Sequence, residues 1–390
     1  MKPASTRDRA AENDGKAFLR PAERVRDYIL THYDRPGAKD GARLPSVRRL
    51  ATELNVSTAT VQGIFQKLAA EGRIRSQVGN GSFFVTGKPD NAVLKIGVNI
   101  PVPEGGPPSF WTYQIYGGLL HGAFQAGRMV ALKPLPPGAL EKQEEADLFL
   151  RDSRQMDGFV LFHTTFHRRL RRLCEESSRP YVYLNPPSES ETANFVSPDY
   201  YQGSRRLGEI FSTTGRRRVA LLMWPSCEAS VSVRLRCAGM AAGLAGALAD
   251  GGGLSIHTAD DNGEEAGHRL MADVLRKLKK APDAVYCAGD LLAHGAVRAL
   301  EAAGLSIPGD VAVVGGNGLA RDHNPRHRLT GMRQPHEQAG EELLNLLTAR
   351  IENGGASLPG RFLPVGFHPG STTGEAENQL LREAGNSLST

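Results

Sequence analysis

Cysteine is scarce: the 390 residues contain four, at positions 174, 227, 237 and 287. None forms a CxxC pair and no histidine cluster completes a tetrahedral ligand set. A disulfide framework and a zinc module are therefore excluded, and reduced thiols with no bound metal are expected. There is no run of eighteen apolar residues, so no transmembrane helix is expected. The chain opens polar and charged (MKPASTRDRAAENDGK) without the apolar core of a secretory signal. These absences together point to a cytoplasmic protein with no membrane partner. The serine motif G-x-S-x-G is also missing, and the glycines at 315–318 do not make G-x-G-x-x-G. No catalytic residue and no cofactor are expected.

What is present is a length that suggests two or three domains and an uneven charge. Residues 1–90 hold 16 Lys and Arg against 10 Asp and Glu, a net +6, whereas the remainder holds 31 against 32, a net −1. The basic excess sits in the N-terminal quarter, where it suits a polyanion such as DNA, because each neutralised phosphate releases counterions.

Residues 1–15 lack periodicity and read as a disordered arm. A helix is expected over Lys16–Tyr33, with Val25, Tyr28, Ile29 and Tyr33 on one side, then a loop over Asp34–Arg43. The stretch from Leu44 divides into two short helices. Ser46 caps the first, whose buried stripe is Val47, Leu50, Ala51 and Leu54, and Asn55 can take the left-handed conformation that ends it. Ser57 caps the second, with Val61, Ile64, Phe65 and Leu68 inward and Gly72 at its end. Strands at Arg73–Ser76 and Ser82–Val85 flank Gly79-Asn80-Gly81. Two helices on so tight a turn followed by a hairpin make a winged helix-turn-helix.

On the second helix Thr58, Ala59, Gln62, Gly63 and Gln66 face away from the core. Thr58 and Gln62 can hydrogen-bond to base edges and Ala59 can meet a thymine methyl. Arg48, Arg49, Arg73 and Arg75 suit phosphates, and the glycines allow a tight wing tip. The candidate DNA-binding set is Arg43, Ser46, Arg48, Arg49, Ser57, Thr58, Ala59, Thr60, Gln62, Arg73, Arg75, Gly79, Asn80 and Gly81. The residues Leu44–Ser46, Arg48, Leu50–Ala51, Val56–Ser57, Thr60–Val61, Leu68, Glu71–Gly72 and Gly79–Phe83 resemble the winged-helix domain of the GntR family. That family often has Glu at Val47 and Arg at Thr58 and Gln62. The last two are base- or phosphate-reading positions, so an operator different from the commonest one is implied.

After a polar linker at 87–93, short apolar strands alternate with amphipathic helices, which implies parallel sheets covered on both faces. Strands are expected at Leu94–Ile100, Gly158–Phe162, Tyr181–Leu184, Arg218–Met223, Ala284–Cys287 and Val311–Gly315. Helices are expected at Tyr113–Gly127, 166–177, Tyr200–Thr214, Val233–Ala249, Gly263–Leu278 and Leu291–Ala303. So much alternation exceeds one comfortable doubly wound sheet and favours two lobes with a cleft over 94–372, followed by a loose tail at 373–390. The stretches 216–244 and 281–318 resemble the effector domain of LacI/GalR regulators, which has the periplasmic-binding-protein fold. The resemblance implies cleft residues at Arg236, Asp199 and Gln334, and Phe110 and Trp111 fall in the loop after the first strand, where a ring could stack on a ligand. The family's usual A-N-D is here Ala288-Gly289-Asp290, and its usual G-[FY]-D-D is Gly315-Gly316-Asn317-Gly318. An amide has replaced a carboxylate that would grip sugar hydroxyls. The candidate ligand-binding set is Phe110, Trp111, Asp199, Arg236, Asp290, Asn317 and Gln334.

The expectation is a multi-domain protein: an N-terminal winged helix-turn-helix over 16–86 and a C-terminal α/β two-lobed unit with parallel sheets. It would act as a homodimeric regulator, probing a two-fold operator in double-stranded DNA under control of a small-molecule effector, with a sugar as the leading class. Two alternatives are a pyridoxal-phosphate enzyme-like domain behind the winged helix, for which no lysine motif is found, and a DNA-binding protein with no effector.

Overall fold

A computed structural model describes residues 20–34, 41–70, 72–77, 81–85, 93–99, 110–135, 155–162, 167–223, 231–318 and 326–386. The expected arm at 1–15, and Gly79 and Asn80 of the wing tip, lie outside the described residues.

The first helix, α1 (Pro21–Tyr33), starts on proline, whose fixed φ suits a first turn. Glu23 reaches back to accept the Arg20 N–H at 2.9 Å. The expected start at Lys16 falls among residues that are not described. At the end of the expected loop lies a two-residue strand, β1 (Ala42–Arg43), paired antiparallel to the wing. In α2 (Val47–Glu53) the Ser46 hydroxyl accepts the Arg49 N–H at 3.3 Å. Asn55 takes φ +50°, and in α3 (Thr58–Ala70) the Ser57 hydroxyl accepts the Thr60 N–H at 3.0 Å. Gly72 turns the chain at φ +67° into β2 (Ile74–Gln77) and β3 (Gly81–Phe84), giving the sheet order β1-β3-β2. Val25, Ile29, Leu50, Val61, Leu68 and Phe84 are fully buried in one core. The caps fix where the helices begin, and this core fixes how they pack.

The chain divides into two compact units, the first running to Leu94 and taking in Gly127–Met129. The second unit has two lobes. Elements β4 (Leu94–Asn99), α4 (Phe110–Gln125), β5 (Val130–Leu135), β6 (Gly158–Phe162), α5 (His167–Glu176), β7 (Tyr181–Leu184) and β8 (Phe195–Pro198) begin the first lobe. The chain crosses to the second lobe for α6 (Tyr200–Thr213), β9 (Arg218–Met223), α7 (Val231–Gly243), α8 (Ala245–Ala249), β10 (Gly253–Thr258), α9 (Glu264–Lys277), β11 (Ala284–Cys287), α10 (Asp290–Ala302), β12 (Ala312–Gly315) and β13 (Thr330–Arg333). It returns for α11 (His336–Glu352) and β14 (Arg361–Leu363), then crosses last for β15 (Gly366–His368) and α12 (Glu375–Asn386). The sheets have strand orders β14-β8-β7-β6-β4-β5 and β10-β9-β11-β12-β13-β15.

The second sheet explains why its strands read as unbroken apolar runs. Val219, Leu221, Tyr286 and Val314 point into one core with α6 and α7. Ala220, Leu222, Val285 and Val313 alternate into another with α9 and α10. Both faces are covered, so neither residue of the period-2 repeat is polar. The helix pairs α4–α11, α6–α7 and α9–α10 touch through glycine. A Cβ on Gly118 would overlap the Glu337 carbonyl oxygen, one on Gly243 that of Arg205, and one on Gly295 that of Glu264.

Two expectations need correcting. The helix expected over Val233–Ala249 breaks at Leu244 into α7 and α8. The loose tail at 373–390 is, through residue 386, a packed helix. Leu381 is fully buried in the core with Leu207 and Phe211, and Glu377 is buried against Arg216. The apolar positions of α12 are few and stand among Glu, Gln and Arg, which disguises a helix that seals the edge of the lobe.

Candidate functional site

On the winged helix, Thr58, Ala59, Gln62 and Gln66 are exposed along one side of α3, opposite its buried stripe. Arg48 and Arg49 stand exposed on α2, and Arg75 on β2. Arg43 is exposed and its guanidinium lies against Gly81 at the base of the wing. Three members of the expected set have other work. Ser46 and Ser57 cap helices, and the Thr60 hydroxyl is bound to Ser57 at 2.7 Å. Arg73 is also diverted: its guanidinium pairs with Asp34, lies 5.1 Å from the centre of the Phe84 ring and keeps 14% side-chain exposure. A phosphate would have to compete with a carboxylate already in place. Gly63 faces the same side as Gln62, and a Cβ there would meet nothing within 4 Å. Gly63→Ala should therefore stabilise α3 by about 1 kcal/mol, read as a higher melting temperature of the winged-helix transition in calorimetry.

In the second unit the candidate residues converge where the chain crosses between lobes. Arg236, on α7, is 2% exposed. Its Nε donates to the Tyr286 hydroxyl at 2.9 Å, and its guanidinium carbon sits 3.9 Å from the centre of the Tyr200 ring. Tyr200 opens α6 at the first crossing and donates to Gln334 Oε1 at 3.1 Å. Gln334, at the second crossing, donates through Nε2 to the Gly316 carbonyl at 2.5 Å and to Asn317 Oδ1 at 3.3 Å. Asn317 is anchored in turn, its N–H donating to Asp290 Oδ1 at 2.9 Å. The wall carboxylates thus serve the backbone, since Asp199 Oδ1 caps α6 by accepting the Gln202 N–H at 3.0 Å.

Phe110 and Trp111 lie in the first turn of α4, not in a loop. The Trp111 ring centre is 6.1 Å from Phe162 and 6.1 Å from the imidazole of His336. Phe110 is 42% exposed. His336 is buried, its Nδ1 has no hydrogen-bond partner among the described residues, and burial with the Arg236 cation pushes its pKa from 6.5 down to about 4. At the rim, Arg234 Nε donates to Glu189 Oε1 at 2.5 Å, joining α7 to the β7–β8 loop of the other lobe. Among the described residues no group of three His, Cys, Asp or Glu could hold a metal. Cys174, Cys237 and Cys287 are free, with thiol pKa values raised by burial.

The neutral imidazole has a consequence for stability. Between pH 6.5 and about 4 the unfolded chain binds a proton at His336 that the folded chain does not. Its contribution is intact above pH 6.5 and is lost as pH falls toward about 4, a decrease of roughly 3 kcal/mol at most. His336→Gln should flatten that part of the pH profile in urea unfolding.

Comparison with known proteins decides what kind of chain this is. The family model described as bacterial regulatory proteins, gntR family, matches residues 21–84, and the periplasmic binding protein-like domain model matches residues 209–373. The chain thus joins a segment similar to gntR-family regulatory proteins to one similar to periplasmic-binding-protein-like domains. This fusion is 30% identical over 202 residues to the HTH-type transcriptional regulator CelR of Thermobifida fusca, covering 51% of this chain and 58% of that one. It is 27% identical over 217 residues to the HTH-type transcriptional repressor PurR of Erwinia tasmaniensis, covering 54% and 61%. The fusion thus spans about three-fifths of these relatives' length. Among solved structures, the lac repressor dimer bound to operator and an anti-inducer superposes with TM-score 0.59 at 22% identity, covering 72% of this chain and 94% of that one. A CelR–cellobiose complex gives TM-score 0.59 at 21%, covering 84% and 100%. These likenesses establish the two-lobed fold.

Sequence reasoning missed three residues that gather at the crossing with Arg236, Gln334 and Trp111: Tyr200, Tyr286 and His336. Tyr200 and Tyr286 sit in helix and strand positions where an aromatic ring looks like ordinary core. His336 lies two residues past Gln334, which the resemblance already singled out, and that nearness was the one available signal.

Proposed function

We propose that this chain is a DNA-binding transcription regulator, a repressor, whose operator affinity is set by a small molecule held between the two lobes. The observation that carries the reading is a buried arginine, Arg236, at a three-way crossing of a two-lobed domain, in the same chain as an exposed helix face fit for the major groove. A guanidinium fork can hold two ligand oxygens at once, and a cleft closed by one ligand changes the free-energy difference between two lobe arrangements. A winged helix reads a half-site, so a two-fold operator calls for a homodimer. The operator also places the protein in the cytoplasm, and no described helix is long and apolar enough to cross a membrane. The relatives' names are those of regulators, which supports a non-enzymatic role.

The test is selection of binding sites from random-sequence DNA by the full chain, followed by titration of the selected site with a metabolite panel. Gln62→Ala is expected to change which sequences are selected. Arg49→Ala is expected to weaken all sequences alike and to lower the slope of log affinity against log salt by about one. If both variants behave alike, the assignment of α3 to the groove is wrong. Selection of no sequence at all would overturn the regulator reading.

A further inference from the structure

Gly63 is the one glycine inside a described helix of the winged-helix unit, and nothing in the fold calls for it there. A glycine weakens a helix interior. At Gly118 and Gly295 of the second unit the absent side chain lets two helices touch, since a Cβ would overlap a carbonyl oxygen of the opposite helix. At Gly63 a Cβ would meet nothing within 4 Å among the described residues, and the backbone is not left-handed. Neither packing nor conformation requires the missing side chain.

The position on α3 supplies a reason. At 3.6 residues per turn, the line opposite the buried stripe of Val61, Ile64, Phe65 and Leu68 runs between Ala59 and Gly63 and past Gln66. Thr58 and Gln62 flank it on one side and Lys67 on the other, all three exposed. A helix in the major groove turns the face opposite its core to the groove floor, while its flanks meet the walls where the phosphates stand. Thr58 and Ala59 carry short side chains, which reach base edges only if the helix axis comes close. A side chain at 63, one turn after Ala59 on the same line, would hold the axis off. The groove is about 12 Å wide and a helix with its side chains about 10–12 Å across, which leaves little room to slip sideways instead.

We infer that Gly63 sets the depth at which α3 seats in the major groove: its bare Cα lies against a base edge and brings Thr58 and Ala59 within reach of theirs. The inference rests on the DNA-binding reading of α3. It makes Gly63 a specificity-determining residue that works by having no side chain. Folding and recognition are then opposed at this position, because the methyl group that strengthens the helix weakens the reading of sequence.

The experiment uses the full chain as wild type, Gly63→Ala and Gly63→Leu. Binding is measured at one salt concentration to the duplex recovered by random-sequence selection and to a random-sequence duplex of the same length, alongside the melting temperature of each protein. Alanine and leucine are both strong helix formers, so both variants should melt at or above the wild-type temperature, and lost binding cannot then be lost folding. Affinity for the selected duplex should fall roughly tenfold with alanine and to the random-duplex level with leucine. Affinity for the random duplex should stay within about twofold of wild type, because it comes from phosphate contacts. Selected-duplex binding by Gly63→Ala within about twofold of wild type overturns the inference. So does an equal loss on both duplexes, which would place the effect away from the bases. A lower melting temperature for Gly63→Ala overturns it as well, since the fold itself would then need the glycine. Each of these results leaves the DNA-binding reading standing, whereas recovery of no preferred sequence by the wild-type chain would remove that reading and the inference with it.

Discussion

Arg216→Met is expected to cost the two-lobed unit about 3–5 kcal/mol of unfolding free energy, measured as a lower urea midpoint with an unchanged slope. Arg216 Nε donates to Glu377 Oε1 at 2.9 Å, and Nη2 donates to the Pro308 carbonyl at 2.9 Å. Nη1 approaches the carbonyls of Asp283, Gly309 and Asp310 at 3.2–3.4 Å. Glu377 is 3% exposed. Removing the guanidinium leaves that carboxylate buried without its cation and strips several carbonyls of a donor, and each loss is costly in a low-dielectric interior. The control is Glu377→Gln in the Arg216→Met background. If the stranded charge is the main loss, the double variant should recover a large part of it; if the lost carbonyl bonds dominate, it should recover little. Because Glu377 lies on α12, either result also measures how firmly the C-terminal helix holds the second lobe together.

The second large effect is expected at the α4–α11 crossing. Gly340→Ala should destabilise the unit by about 1–3 kcal/mol, with urea unfolding as the readout. A Cβ on Gly340 would overlap the Ile115 carbonyl oxygen, and Gly118 Cα lies close by. Both obstacles are backbone, so no rotamer change can relieve them; the helices must separate. His336 begins α11, so separation also displaces the cleft. Gly122→Ala is the graded comparison, because its Cβ would stand 3.3 Å from Glu341 Cα and 3.4 Å from a Leu344 methyl. It should cost clearly less.

The winged helix was legible almost to the residue because its signals are local. Ser46 and Ser57 cap within three residues, and Asn55 and Gly72 turn within one. Strands β9, β11 and β12 were legible because burial on both faces leaves an apolar run. Strand β10 mixes exposed and half-buried residues at the sheet edge without a clean period, and β14 and β15 are three residues each, too short for periodicity to speak. Helix α11 carries Leu343, Leu346 and Leu347 at helical spacing, yet nothing local says that it returns to the first lobe. The same limit governs the cleft. Arg236, Asp290, Asn317 and Gln334 could be named singly from the resemblance. What joins them is a tyrosine on α6, a tyrosine on β11 and a histidine on α11, and only the fold brings those elements together. Arg73 illustrates the reverse error: an arginine in a basic segment looks available for phosphate until Asp34 is found beside it.

The amide of Gln334 has a direction. Its oxygen accepts from Tyr200 and its nitrogen donates to Gly316. Turned end for end, it would set oxygen against a carbonyl oxygen, so the side chain has one orientation that satisfies both neighbours. Tyr200 and Gly316 stand on separate segments, and a shift of one relative to the other cannot lengthen the first bond without straining the second. All three groups stand on the second lobe, so the two bonds hold this wall of the lobe in one arrangement. Any group that meets the amide at the crossing finds one pattern of donor and acceptor, not two.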